Sequence, residues 1–283
     1  MNQDIKRIGF VDYKLDNFHA NVFLNHLRDE AADRGFAAVG GFALDEEDGR
    51  AWSENNDVPY FDSVEALNEH VDSYAVLAPS NPELHLELCE MVLPMGKTTY
   101  VDKTFAPDLE TAEKIFALAD EYGVAMQTAS ALRYTEVQEF VKEAGGSEAV
   151  RHMVAWGGGG SFGEYSIHPT EMAISCMGPD VESLMRRGTD EHSQLLLNFS
   201  GGRTAVINVY TNATTPFAAS VTTESETHYI TVDTNCLFVN MTHAMLDLFE
   251  TGEVSIPREE SLMVRRILDS AGKPEAVEGF VGV

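Results

Sequence analysis

At 283 residues, of which 44% are hydrophobic, the chain can bury a sizeable core, as one large domain or, by expectation, two. No apolar run approaches the roughly 18 to 20 residues that a membrane helix requires. A formal charge of −27, from 46 acidic and 19 basic residues, excludes nucleic acid as a partner, because a polyanion would be repelled and no basic stripe exists to receive it. The acids are dispersed, as in DEEDGR (45–50), which suits a hydrated surface in a high-salt cytoplasm where screening relieves self-repulsion. The start MNQDIKRIGFVDY lacks the basic and apolar regions of a secretion signal, so a cytoplasmic location is expected. Cys89, Cys176 and Cys236 show no C-x-x-C spacing and read as structural thiols, with no disulfide frame and no metal site. Asn198, Asn212 and Asn240 each open an N-x-S/T triplet, a chance match in such a chain.

In chain order, IKRIGFVDY (5–13) and FAAVGGFAL (36–44) read as buried strands. Between them FHANVFLNHLRDEAADRG (18–35) places Phe18, Val22, Leu24 and Leu27 near helical spacing, with Gly35 as a stop. The pattern repeats through a helix SVEALNEHV (63–71), a strand SYAVLAP (73–79), a helix opened by Pro82 and closed by Gly96, and a strand TTYVDK (98–103). A helix DLETAEKIFALADEYG (108–123), a strand VAMQTA (124–129) and a helix TEVQEFVKEAG (135–145) follow. Alternation at these lengths predicts an α/β fold with a Rossmann-like, doubly wound parallel sheet over residues 1–128, whose ligands gather at the carboxyl ends of the strands. Residues 129–283 change character. Strands are expected at 149–157, 181–187, 192–200, 203–212, 217–224 and 228–234, with a helix IHPTEMAISCMG (167–178) preceding all but the first. That predicts an α+β domain with a mostly antiparallel sheet and a helix on one face. The last helix, REESLMVRRILDSAG (258–272), would bury Leu262, Met263, Ile267 and Leu268, and could pack back on the first domain.

Three stretches carry a resemblance. LAPSNPELHLELCEMVLPMGKTTYVDKTFA (77–106) is similar to the strand-loop-helix-strand run of the Gfo/Idh/MocA oxidoreductases, which ends in a Glu-Lys-Pro signature; here it reads Asp102-Lys103-Thr104. GEYSIHPTEMAISCMG (163–178) resembles the family's Asp-x-x-x-His helix, with Glu164 and His168 at those places, and ALRYTE (131–136) matches its Arg-aromatic pair. The resemblance implies a nicotinamide-dependent oxidoreductase acting on a secondary alcohol or ketone of a sugar, polyol or related hydroxy compound. The alternative is a family member that binds a small molecule or nucleotide without redox turnover. It implies Lys103, His168 and Glu164 as catalytic residues, and Arg133, Tyr134, Tyr165 and His168 as substrate contacts. NAD or NADP would be met by Gly9, Asp12, Tyr13, Lys14 and Leu15, by Ala43 and Asp45, by Ala78, Pro79, Ser80, Asn81 and His85, and by Asp102 and Lys103. A homo-oligomer formed through the second-domain sheet is also implied.

The chemistry can be argued from the residues themselves. Removing a hydride from a secondary alcohol also requires the hydroxyl proton to leave, so a base must stand beside the reacting carbon. A lysine at a strand end suits this, since partial burial lowers its pKa. Glu164 and His168, spaced i, i+4, would share one face of a continuous helix, the carboxylate orienting an imidazole that passes the proton or holds the substrate hydroxyl.

The departures are as informative. A dinucleotide fingerprint uses three glycines; in GFVDYKLDN (9–17) those places fall on Asp12, Tyr13 or Lys14, and Asn17. Asp12 and Asp16 bring negative charge where phosphates would sit, and Lys14 offsets part of it. With Thr104 in place of proline, a trans bond is expected after Lys103. The run Gly157–Gly160 lacks the Lys-Ser/Thr ending of a phosphate loop and reads as a flexible loop over the substrate pocket.

Overall fold

The computed structural model describes residues 5–283, and its contacts divide the chain into two units. The first comprises the chain up to Ala129 together with Phe238–Ile256. Its strands are β1 (Lys6–Asp12), β2 (Phe36–Ala43), β3 (Ser73–Val76), β4 (Thr99–Asp102) and β5 (Met126–Ala129), all parallel, in the order β2-β1-β3-β4-β5. β3, β4 and β5 are buried along their whole length, as strands covered on both faces must be. The helices between them are α1 (Phe18–Arg28), α2 (Glu46–Asn56), α3 (Val64–Asn68), α4 (His85–Val92) and α5 (Leu109–Glu121). Side-chain caps start several of them, Asn17 for α1, Asp45 for α2, Ser63 for α3 and Asp108 for α5, each satisfying an orphan amide of the first turn.

Three expectations change here. α1 buries Ala20, Phe23, Leu24 and Leu27, while Phe18 is exposed and Val22 only half-buried. α2 was not foreseen, because EEDGRAWSENN holds one large apolar residue, Trp52, which is buried together with Gly49 and Ser53. A late helix, Leu237–Thr251, was also not foreseen, and from Phe238 onward it belongs with the first unit although the second domain was expected to be continuous. There Phe238 meets the rings of Phe18, His19 and Phe23, His26 Nδ1 lies 3.1 Å from Thr242 Oγ1, and Arg34 pairs with Asp247 and Glu250.

The second unit comprises Ser130–Leu237 and Pro257–Val283. In chain order it holds α6 (Glu136–Glu143), β6 (His152–Gly158), α7 (Phe162–Tyr165), α8 (Ile167–Met177), β7 (Val181–Gly188), β8 (His192–Phe199), β9 (Thr204–Tyr210), β10 (Ala218–Thr222) and β11 (Thr227–Thr231). After the late helix, counted as α9, come α10 (Arg258–Ala271), α11 (Glu275–Glu278) and β12 (Val281–Gly282). The seven-stranded sheet runs β11-β10-β6-β9-β8-β7-β12, antiparallel throughout except for the parallel β6–β9 pair. Helix α8 packs against β6 and β9, and also against α6 and α10. It is buried on nearly every side, Glu171 included, and a carboxylate in such a place needs a charged or hydrogen-bonding partner. The last long helix, α10, belongs to this unit rather than the first, with Met263, Val264, Ile267 and Leu268 buried.

Candidate active site

In the strand order of the first unit, β1 lies between β2 and β3, so the chain reverses direction of winding there and the carboxyl ends of β1 and β3 flank the switch point where α/β sheets bind ligands. Asp12 ends β1 and is 2% exposed. Its carboxylate accepts from the Lys14 amide at 3.2 Å and from Asn17 Nδ2 at 2.8 Å, and the amides of Ala78 and Tyr13 also point to it. Burial pushes its carboxyl up to about 6, against the pull of those donors. Asn17 in turn takes the amide of Ala20 and caps α1. The glycine fingerprint is thus replaced by an internal carboxylate that uses the loop's inward amides.

Around it, Lys14 is exposed and reaches Asp45 Oδ2 at 3.3 Å, while the Asp16 amide donates to Asp48 Oδ2 at 3.1 Å. Asp45 caps α2, and the Asp48 amide and Lys14 hold its carboxyl below the usual range. Tyr13 is half-buried and accepts the Asp45 amide on its carbonyl at 2.9 Å. Several expected contacts lie elsewhere. Gly9 is inside β1, where an added Cβ would come within 3.1 Å of Leu67 and Val71, so it is a packing glycine. The Leu15 side chain is fully buried against Gly41, and Ala43 is buried against Gly49, so neither offers a side chain to a ligand. Asp45 is the acid at the end of β2.

At the ends of β3 and β4, Ala78 adopts φ 47° and starts the turn through half-buried Pro79, exposed Ser80 and half-buried Asn81. Lys103 is 7% exposed and its Nζ donates to Pro79 O at 3.0 Å. His85 is fully buried, with Nδ1 2.9 Å from Phe105 O and Nε2 2.6 Å from Leu77 O. Both ring nitrogens are therefore used internally, and His85 joins the two strand ends instead of contacting a ligand. Asp102 is also fully buried, its Oδ2 2.5 Å from His19 Nδ1 with the ring N–H off the line between them. Burial pushes Asp102 up, but the neighbouring His19 and Lys103 outweigh it and hold the carboxyl below the ordinary range. The Lys103–Thr104 bond is cis, contrary to the trans bond expected; the turn is held by Lys103 on Pro79 and by His85 on Phe105 rather than by a proline ring.

In the second unit, Pro169 has no N–H to give the Tyr165 carbonyl, and the helix is split at Ser166 into α7 and α8. Glu164 is exposed on the four-residue α7 and His168 is half-buried on α8; Ser166 between them keeps helical torsions, φ −63° and ψ −24°, so the chain turns helically from one to the other although the hydrogen-bond ladder is interrupted. Nδ1 of His168 lies 2.7 Å from Ser130 Oγ, and the Ser130 amide donates to Glu171 Oε2 at 2.9 Å. Glu171 Oε1 accepts from Arg133 Nε at 2.8 Å, and Arg133 Nη1 donates to Glu260 Oε2 at 2.5 Å. Arg133 is 8% exposed; it was expected to anchor substrate, and two of its guanidinium nitrogens are held by carboxylates of its own chain while Nη2 is buried without a hydrogen-bond partner among the described residues. Burial pushes the Glu171 carboxyl up, and Arg133 offsets part of that rise. Ser130, Glu171 and Glu260 were missed in the sequence. The spacing of Glu171 three residues after His168 was the available signal.

The rings of Tyr165 and Phe217 flank His168 at 5.8 and 6.0 Å, and Tyr134 is half-buried. Half of the glycine run is strand, and Gly159 and Gly160 lie in the loop that follows it. Gly157 and Gly158 finish β6, and a Cβ on Gly158 would stand 2.6 Å from Tyr210 O. At Gly159 it would stand 2.1 Å from the Tyr165 ring. These glycines permit close packing.

A parallel sheet with its switch point at β1 and β3 defines the first unit as a Rossmann-like domain, with the buried Lys103 at the end of β4. Residues 6–130 match the GFO_IDH_MocA model, described as an oxidoreductase family with an NAD-binding Rossmann fold. No curated protein matches the chain. Among solved structures it is similar to apo scyllo-inositol dehydrogenase from Lactobacillus casei, with a TM-score of 0.83, 13% identity and coverage of 100% of this chain and 99% of that one. The myo-inositol 2-dehydrogenase from Lactobacillus plantarum gives 0.82 and 12%, covering 99% and 100%. GenD2 from gentamicin A biosynthesis, in complex with NAD, gives 0.81 and 13%, covering 99% and 97%. At these identities the likeness is one of fold.

The residues present fit a nicotinamide dinucleotide by their chemistry. Lys14 offers an ammonium for a phosphate, Asp45 a carboxylate for ribose hydroxyls, and Lys103 a proton-carrying group at the end of β4. Asp12 is the exception, because it uses amides that a phosphate would otherwise compete for.

Proposed function

We propose that this protein is a nicotinamide-dependent oxidoreductase acting on a secondary alcohol or ketone of a sugar, polyol or related hydroxy compound. The buried Lys103, fixed at the end of β4 by its bond to Pro79 O, carries this reading. The inositol dehydrogenases and the NAD complex among the similar folds support it. When bound, the nicotinamide supplies the hydride acceptor or donor. Lys103 exchanges the proton of the substrate hydroxyl, and His168 holds a substrate oxygen, with Tyr134 and Tyr165 as further contacts and Glu164 at the exposed start of that segment. Arg133 is reassigned from substrate to structure. The acids Asp16, Asp45 and Asp48 would repel a 2′-phosphate, which favours NAD over NADP. The reading includes a cytoplasmic location. It also includes a homo-oligomer formed through the second sheet, whose half-exposed Val154, Trp156, Leu196 and Val206 support such pairing.

The test is titration with NADH and NADPH, followed by nicotinamide fluorescence. NADH should bind more tightly than NADPH, and Lys103→Ala should abolish turnover while leaving cofactor affinity within about threefold. Absence of binding by any nicotinamide form at about 1 mM, the upper end of ordinary KM values, would overturn the reading.

A further inference from the structure

The bonds around Ser130 determine more than its own position. Its side chain is fully buried, and its Oγ has two contacts, the Leu132 amide at 3.3 Å and His168 Nδ1 at 2.7 Å. The Leu132 N–H can only donate. The imidazole nitrogen is therefore the one acceptor within reach of the serine proton, and an Nδ1–H facing Oγ would leave that proton buried and unpaired, a costly arrangement. Ser130 must then donate to Nδ1, and the neutral ring carries its own proton on Nε2. The serine's backbone is fixed behind the ring, its amide held by Glu171 Oε2 and its carbonyl by the Arg133 amide at 3.0 Å. Glu171 is in turn fixed by Arg133, and Arg133 by Glu260.

We propose that Ser130 is a positioning residue that fixes His168 as the Nε2–H tautomer, so that His168 acts on a substrate oxygen as a hydrogen-bond donor and not as the base. Glu171 and Arg133 keep Ser130 in register behind it. The inference rests on the reading of His168 as a substrate contact, and it assigns proton exchange to Lys103 alone.

The tautomer can be read directly. Long-range proton–nitrogen correlation spectra of the ¹⁵N-labelled full chain, with His168 assigned by the signal lost in His168→Gln, should show Nε2 protonated and Nδ1 bare. Ser130→Ala should release the preference and lower kcat/KM about 10- to 100-fold, the scale seen when a partner that orients a metal-bound histidine is lost, while Ser130→Thr, which keeps the hydroxyl, should restore both. A wild-type spectrum with the proton on Nδ1 overturns the proposal whatever the variants do, and leaves the oxidoreductase reading standing. Full turnover by His168→Gln would overturn the role of His168 itself, even with the tautomer as described.

Discussion

Asp12→Asn should make the protein more stable above neutrality and leave it little changed in acid. The folded-state carboxyl titrates at about 6 against 3.8 in a model chain, so the native state holds the proton more tightly than the unfolded one. Stability is therefore fully present below about 4, falls as the pH rises through the window from about 4 to about 6, and stays reduced above it; the ionised, buried carboxylate costs about 3 kcal/mol there. The carboxamide removes that cost but turns an NH2 group toward Asn17 Nδ2 or the Lys14 amide, which loses one hydrogen bond worth about 1 kcal/mol. The expected gain is about 2 kcal/mol at pH 8 and near zero or slightly negative at pH 4.5. Urea unfolding of both proteins at the two pH values measures it. An offset that is the same at both, or a variant less stable than wild type at pH 8, would refute the assignment of Asp12 as a buried carboxylate held against its desolvation.

Two further outcomes follow from the packing. Arg133→Met should cost about 3–5 kcal/mol because it leaves Glu171 and Glu260 without their cation; adding Glu171→Gln should recover part of the loss, and a single variant within about 1 kcal/mol of wild type would contradict the buried pairing. The charge of −27 predicts a melting temperature that climbs as KCl rises from about 0.1 M, where screening reaches about 10 Å, toward molar levels, where it reaches about 3 Å. A melting temperature indifferent to KCl would remove the high-salt interpretation of the acidic surface.

The parallel sheet was legible because its strands are short apolar runs between amphipathic helices, and a buried β-strand leaves that trace whatever the loops do. α2 left little trace, since Trp52 is its one large apolar residue and Gly49 and Ser53 complete its buried face, and the late helix was missed although Leu237, Met241, Met245 and Leu248 follow helical spacing. At the site, Lys103 and His168 were readable from their places at a strand end and a helix start. The partner of His168 was not. The i, i+4 spacing pointed to Glu164, on the same helical run, while Ser130 approaches from 38 positions away in sequence. Asp12 looked like a charge facing phosphate, and the sequence could not show that neighbouring amides fold around it.

The return of Phe238–Ile256 to the first unit bears on how this protein can be cut or recombined. A fragment ending at Ala129 would match the family model almost completely, yet it would lack the Met241, Met245, Leu246 and Leu248 side chains that are buried in the whole chain. It would also leave Gln127 without the amides of Ser255 and Ile256 that its Oε1 accepts. The nucleotide-binding module of this chain is therefore encoded in two pieces, and any chimera built by exchanging cofactor domains must transplant both.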